Sequence, residues 1–252
     1  MKLPAAVIFD VDGTLADSER DGHRPAFNQA FAEAGLPYIW SVAEYGRRLA
    51  TTGGFRRLRG FLVEQGHPDD EAEELARQLH KRKTTLFRAA CEAGEVPSRA
   101  GAGRLIEQLG KAGVPVAVAT TGRRNWVAPL LDRLFGLDRF VHVLTGDDVG
   151  EGEAKPDPAV YVQALHRLGT TPQDTVAVED SRNGLDAAVA AELPCLVVVN
   201  DYTVDQELSA ATLVTDAFGG PGTATVLAGA PDALDGGMIT PATLGLVLAG
   251  RH

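Results

Sequence analysis

Hydrophobic and polar positions follow two rhythms along this chain, and the change of rhythm divides it. Ala5-Ala6-Val7-Ile8-Phe9 is an apolar run closed by Asp10-Val11-Asp12-Gly13-Thr14, which predicts a buried strand ending in a turn. From Ala16 to about Arg99 apolar residues recur at three- and four-residue spacing instead. That pattern predicts helices over 25–34, 42–50, 55–65 and 70–93. Gly35-Leu36-Pro37, Thr52-Gly53-Gly54 and Gly66-His67-Pro68 punctuate them, and Asp69 and Asp70 suit a helix start. Beyond Gly101 the rhythm alternates: helix 103–112, strand 114–119, helix 125–135, strand 140–144, helix 158–168, strand 175–178, helix 183–192, strand 195–199. Such alternation predicts an α/β fold, a Rossmann-like doubly wound parallel sheet with helices on both faces. A run of helices cannot fit inside a short strand connection, so it reads as an inserted helical domain. The expected organisation is a core of 1–15 with 99–220, a helical insert at 16–98, and an extension at 221–252. The extension is rich in Gly, Ala and Pro and then apolar, and it is expected to pack on the core or on a second subunit.

Composition narrows the partners. A net charge of −10, from 24 basic and 34 acidic residues, argues against nucleic acid or an anionic membrane as the main partner. A small anionic ligand remains open, because it needs only a local cluster of cations. Two cysteines, Cys91 and Cys195, are too few for a disulfide framework and fit a reducing, cytoplasmic setting. No signal peptide is expected ahead of the first strand, and the apolar stretch 239–249 is too short to span a bilayer and holds Pro241 and Gly245. The expected oligomeric state is a monomer.

Ligands of doubly wound sheets bind outside the carboxyl ends of the strands, so the polar residues placed there carry the chemistry. Asp10 and Asp12 end the first strand, Thr120-Thr121 the second, and Glu179-Asp180-Ser181 a later one, while Lys155-Pro156-Asp157-Pro158 precedes a helix. Each has a plainer reading: Lys155 as a solvated loop lysine, Thr120 as a helix cap, Glu179-Asp180 as a capping pair. Together those readings leave several carboxylates crowded without compensation. A hard cation with oxygen ligands resolves this, and Mg²⁺ is the usual occupant of a carboxylate-and-water site shared with phosphate.

In this order, Asp-x-Asp-Gly-Thr, strand-end Thr, Lys-Pro and Glu-Asp-Ser, the motifs resemble the haloacid dehalogenase superfamily of phosphohydrolases. The insert resembles the α-helical cap of some members. Within it, Asp17 to Arg24, Thr51-Thr52-Gly53-Gly54 and His80-Lys81-Arg82-Lys83-Thr84 resemble CbbY-type xylulose-1,5-bisphosphate phosphatases. The resemblance implies a Mg²⁺-dependent sugar-phosphate phosphatase in which Asp10 attacks phosphorus and forms an aspartyl-phosphate. It implies Mg²⁺ held by Asp10, the Asp12 backbone carbonyl, Asp180 and Glu179, with Asp12 also as general acid and base. The same resemblance implies that Thr120 and Lys155 bind the non-bridging oxygens, with backbone N–H groups around Gly13 and Thr121 as further donors. In the cap, Glu19, His23, Gly53, Gly54, Arg57, His80 and Lys83 become substrate contacts, although His23 also reads as a packing histidine.

The chain departs from those relatives at two points. Phe55 stands where they usually carry Lys, and Arg56 returns a cation one position later, about 100° away around a helix. Gly122-Arg123-Arg124 follows Thr121 where Ser is common. Two other readings share the motifs: a β-phosphoglucomutase-type phosphomutase, whose acceptor is a sugar hydroxyl rather than water, and a phospho-accepting signalling module. A signalling module has no use for so large a cap or for a general acid two residues after the acceptor.

Overall fold

Seven strands form one sheet in the order β3-β2-β1-β4-β5-β6-β7. They are β1 (Ala6–Phe9), β2 (Val116–Ala119), β3 (His142–Leu144), β4 (Thr175–Glu179), β5 (Cys195–Val198), β6 (Leu213–Thr215) and β7 (Val226–Ala228). All pairings are parallel except β6 with β7. The computed structural model describes residues 2–51, 53–150, 152–220 and 223–250. Met1, Thr52 of the expected 51–54 turn, and Pro221, Gly222, Arg251 and His252 of the expected extension lie outside the described residues. β1, β2, β4 and β5 are buried along their whole length, as a parallel sheet covered on both faces requires. β2 begins at Val116 rather than 114: Pro115 has no N–H to give a ladder, and its carbonyl accepts from Val7 N at 3.0 Å.

The fold divides into two compact units, residues 1–17 with 97–252, and residues 18–96. The first also holds α5 (Ala102–Lys111), α6 (Arg124–Phe135), α7 (Ala159–Leu168), α8 (Arg182–Ala190) and α9 (Pro241–Ala249). α7 and α8 cover one sheet face, where Tyr161, Ala164, Leu185 and Ala188 pack on Ile8, Ala117, Ala177 and Val197. α9 packs on α5, β4 and β5, so the apolar stretch near the end of the chain belongs to this unit. A capping box at Thr240 and Thr243 and Pro241 in its first turn start that helix. Two strands the hydrophobic pattern did not predict, β6 and β7, extend the sheet beyond β5, each only three residues long.

The second unit opens with a π-helical turn, Ser18–His23, which runs into α1 (Arg24–Glu33). α2 (Val42–Arg48), α3 (Gly54–Glu64) and α4 (Asp69–Ala93) follow. α4 carries Asp69, Asp70 and Glu71 in its first turn, favourably placed for the helix dipole, and ends on Gly94 at φ 76°. Its core is aromatic: Phe27, Phe31, Trp40, Tyr45 and Phe61 stack with ring centroids 4.9 to 5.9 Å apart. Among the described residues no helix is long and apolar enough to cross a membrane.

Candidate active site

The strand order places β1 beside β4, and the chain leaves β1 toward β2 and β3 on one side before β4 begins on the other. Such a reversal opens a crevice at the carboxyl ends of the strands. Asp10 follows β1, Glu179 ends β4 and Asp180 follows it. One carboxylate oxygen of each lies within 4.8 Å of the others, and all three residues are buried. Gly13 makes this approach possible: at φ 78° it turns the backbone, and an Asp180 oxygen sits where its Cβ would be. The Asp12 carboxylate is not a member of this cluster.

Lys155 lies in the loop before α7, with only 4% of its side chain exposed. Its ammonium donates to Asp10 Oδ1 at 2.6 Å, Glu179 Oε1 at 2.6 Å and Ala119 O at 2.8 Å, using all three of its protons. It is no solvated loop lysine. Burial by itself lowers its pKa, but the Asp10 and Glu179 charges outweigh burial and hold the ammonium above its ordinary range. Burial pushes Glu179 up to about 7 against the pull of Lys155. Burial, followed by the Asp10 and Glu179 charges, pushes Asp180 well above the usual carboxylate range. One ammonium does not balance three buried acids. The residues therefore fit a hard divalent cation, which would take oxygen ligands of this kind.

The plainer readings of the neighbouring residues do not hold. Ser181, not Glu179-Asp180, caps α8, accepting from Gly184 N. Thr120 is buried, and its hydroxyl accepts from Gly122 N at 3.1 Å, closing a turn rather than capping α6. The Thr121 side chain is exposed. The unusual residues after it have local uses. Gly122 leaves room for the Trp126 ring, and Arg123 and Arg124 pair with Asp147 and Asp148.

In the helical unit the residues expected to bind substrate gather around one cationic cluster. Lys83 is buried, its Nζ 2.8 Å from His23 Nδ1 and 4.6 Å from the Phe27 ring centre. Burial, and then the charges of Lys83, Arg57 and His80, hold His23 well below its ordinary pKa. A neutral His23 can accept from the ammonium at Nδ1, an arrangement that requires the tautomer with its proton on Nε2. Burial and Lys83 lower His80 as well. A Cβ at Gly54 would lie 3.0 Å from the His80 ring, so a side chain there would need that ring to give by a few tenths of an ångström. Gly53, at φ 91°, leads the chain into α3. Arg57 is buried on α3 and donates to Arg48 O at 3.0 Å and to Tyr45 Oη at 3.1 Å, and the Tyr45 hydroxyl donates to Glu19.

A description of haloacid dehalogenase-like hydrolases matches residues 4–192. The chain belongs to the haloacid dehalogenase-like hydrolase family. It is 40% identical over 227 residues to the CBBY-like protein of Arabidopsis thaliana, covering 87% of this chain and 70% of that protein. It is 40% identical over 216 residues to the CbbY protein of Cereibacter sphaeroides, covering 84% and 92% respectively. The solved CbbY of Rhodobacter sphaeroides in complex with phosphate superposes with a TM-score of 0.72 at 39% identity, covering 85% of this chain and 95% of that one. A variant of that CbbY in complex with xylulose-1,5-bisphosphate superposes equally well.

Three side chains in this haloacid dehalogenase-like protein escaped sequence reasoning. Tyr45 joins Glu19 to Arg57. Tyr161, on the buried face of α7, donates to Glu179 Oε1 and lies with its ring centre 5.0 Å from Lys155 Nζ. Asn200, just past β5, donates to Asp180 Oδ2 at 2.7 Å. Both tyrosines sit at core-like helix positions, so periodicity alone files them with the packing residues. Asn200 offers no signal beyond its place at a strand end.

Proposed function

We propose that this enzyme, a phosphatase of the haloacid dehalogenase-like family, hydrolyses a sugar bisphosphate, with xylulose-1,5-bisphosphate as the leading substrate. The observation that carries the reading is Lys155 shared between Asp10 and Glu179 inside a three-carboxylate cluster at the switch point of the sheet. The solved relative that binds xylulose-1,5-bisphosphate supports the choice of sugar.

Asp10 is the nucleophile. Its carboxylate forms a bond to phosphorus as the ester P–O bond breaks, and Asp12 gives its proton to the leaving alkoxide. Water then attacks the aspartyl-phosphate, Asp12 takes the water's proton, and inorganic phosphate leaves with Asp10 restored. Lys155 keeps Asp10 turned toward the site and offsets the charge of an incoming phosphate dianion. Thr120, buried at the end of β2, and the backbone around Thr121 bind non-bridging oxygens. Asp10, Asp180, Glu179 and the Asp12 carbonyl would hold Mg²⁺, which would supply a positive charge that masks the negative charge of nucleophile and phosphate. In the cap, Lys83, Arg57, His23 and His80 take the second phosphate, and Glu19 with Tyr45 holds a sugar hydroxyl. Gly53 and Gly54 allow the backbone to approach the ligand.

The test is phosphate release from a panel of sugar mono- and bisphosphates, with Mg²⁺ and with chelator. Turnover of bisphosphates in Mg²⁺ and none in chelator is expected. Interconversion of sugar phosphates without phosphate release would make the enzyme a mutase, and a phosphoprotein that persists for minutes would make it a signalling module.

A further inference from the structure

The orientation of the Asn200 amide is fixed by its neighbours. Tyr202 N–H donates to one end of it at 2.9 Å. A backbone N–H can only donate, so that end is Oδ1 and the opposite end is the NH₂ group. Asn200 N–H donates to Thr203 Oγ1 at 3.0 Å and Thr203 N–H to Asn200 O at 3.0 Å, closing the turn around it. Nδ2 is thereby presented to Asp180 Oδ2 at 2.7 Å, with Gly13 O 3.5 Å away. On its other side Oδ2 lies over Gly13, where a Cβ would come within 2.2 Å of it. Asp180 Oδ2 is thus enclosed by an amide donor and by backbone. Oδ1 has a weaker neighbour, the Thr14 hydroxyl at 3.5 Å, at the outer limit of a hydrogen bond.

Buried groups hold this arrangement in register. Arg99 donates to Gly13 O, Val198 O and Val199 O, each at 2.7 Å. It ties the end of β5, which delivers Asn200, to the loop after β1, which delivers Gly13.

Each carboxylate oxygen has two lone pairs; at Asp180 Oδ2 the Asn200 amide takes one and Gly13 lies against the oxygen from the other side, which leaves Oδ1 as the open oxygen. Mg²⁺ takes a tight octahedral set of single oxygens, whereas Ca²⁺ accepts carboxylates through both oxygens and a larger, looser set. We propose that Asn200 is a positioning residue that restricts Asp180 to a single ligand oxygen and so selects Mg²⁺ over Ca²⁺. This inference rests on the metal-dependent reading of the acidic cluster given above. Removing the amide frees Oδ2, lets the carboxylate rotate, and relaxes the preference.

The experiment is calorimetric titration of chelator-stripped protein with MgCl₂ and with CaCl₂, for wild type, Asn200→Ala and Asn200→Ser. The thermal midpoint of each metal-free protein is measured alongside. Ser keeps an oxygen that can accept from Tyr202 N–H, preserving the turn, but does not reach Asp180; it carries the comparison if the Ala variant does not fold. We expect the Mg²⁺ Kd to rise about 10- to 100-fold in both variants. The Ca²⁺ Kd should change less than about threefold or fall, with metal-free midpoints within about 2 °C of wild type. Unchanged Mg²⁺ affinity, or equal losses for both ions, overturns the role of Asn200 while leaving the metal site standing. A wild type that binds neither ion overturns the metal reading and this inference with it.

Discussion

The acidic centre of the sheet and the cationic cluster of the helical unit are mirror images in charge and are built by different means. At the sheet, Asp10, Glu179 and Asp180 are brought together by the ends of neighbouring parallel strands, and one ammonium, Lys155, partly offsets them. In the helical unit, Arg57, His23, His80 and Lys83 come from α3, the π-helical turn and α4, with Glu19 reached through Tyr45. The first site is short of positive charge and the second of negative charge. A cation completes one and an anion the other. Under the proposed function a divalent ion would answer the first deficit and a phosphate group of the substrate the second.

The largest effect should come from the nucleophile. Asp10→Asn keeps an oxygen to accept from Lys155 but removes the carboxylate proposed to attack phosphorus. Phosphate release should fall at least about 10³-fold on every substrate. Residual turnover near wild type would place the chemistry elsewhere. The cap should behave differently. Arg57→Ala removes a buried cation from the second site and leaves the first intact, so kcat/KM for bisphosphates should fall about 10- to 100-fold. A small generic phosphate ester should lose less than about threefold. Equal losses on both substrates would dissolve the proposed division of labour.

The same contrast explains what the sequence made legible. Strand-end acids announce themselves because an apolar run stops abruptly at a polar residue, and parallel topology then forces those ends to one rim. Asp10, Thr120, Glu179 and Asp180 could therefore be singled out with no alignment, and the structure draws the three acids together, with Lys155 hydrogen-bonded to Asp10 and Glu179. Helix faces give no such punctuation. Arg56 and Arg57 are adjacent cations that periodicity does not tell apart; the family resemblance singled out Arg57, and the structure buries that side chain, which donates to Tyr45. Tyr45 and Tyr161 occupy apolar stripes, so their hydroxyls were invisible to periodicity. β6 and β7 are too short to stand out from a Gly- and Ala-rich background, and the π-helical turn at Ser18–His23 has no period that a 3.6-residue search would catch.

A gentler perturbation is pH acting on the metal-free protein. Folding raises Glu179 from an ordinary value near 4.5 to about 7, chiefly through burial, so the native state binds its proton more tightly than the unfolded chain. The stabilisation is complete below about pH 4.5 and is lost as pH rises through about 7, because native protein must then ionise a buried acid. Asp180 shifts in the same direction. In chelator, the thermal midpoint should fall on the order of 5 °C between pH 5 and pH 8 from this source. Added Mg²⁺ should recover more stability at pH 8 than at pH 5, since protons and cation compete for the same oxygens. A Mg²⁺ increment that is flat with pH would argue that the cluster is already charged and balanced in the metal-free protein.

The smallest expected effect is the sharpest test of the cap. Arg56 follows Phe55 on α3 and is exposed, whereas Arg57 is buried. Successive residues on a helix point about 100° apart, so a cation at 56 does not replace one at 57. Arg56→Ala should change kcat/KM for bisphosphates by less than about twofold, within the range usual for an exposed cation. If instead Arg56→Ala costs as much as Arg57→Ala, the second phosphate is held by the exposed side of α3. The buried cluster around Tyr45 would then be packing, and the charge symmetry between the two sites would be a coincidence of the fold.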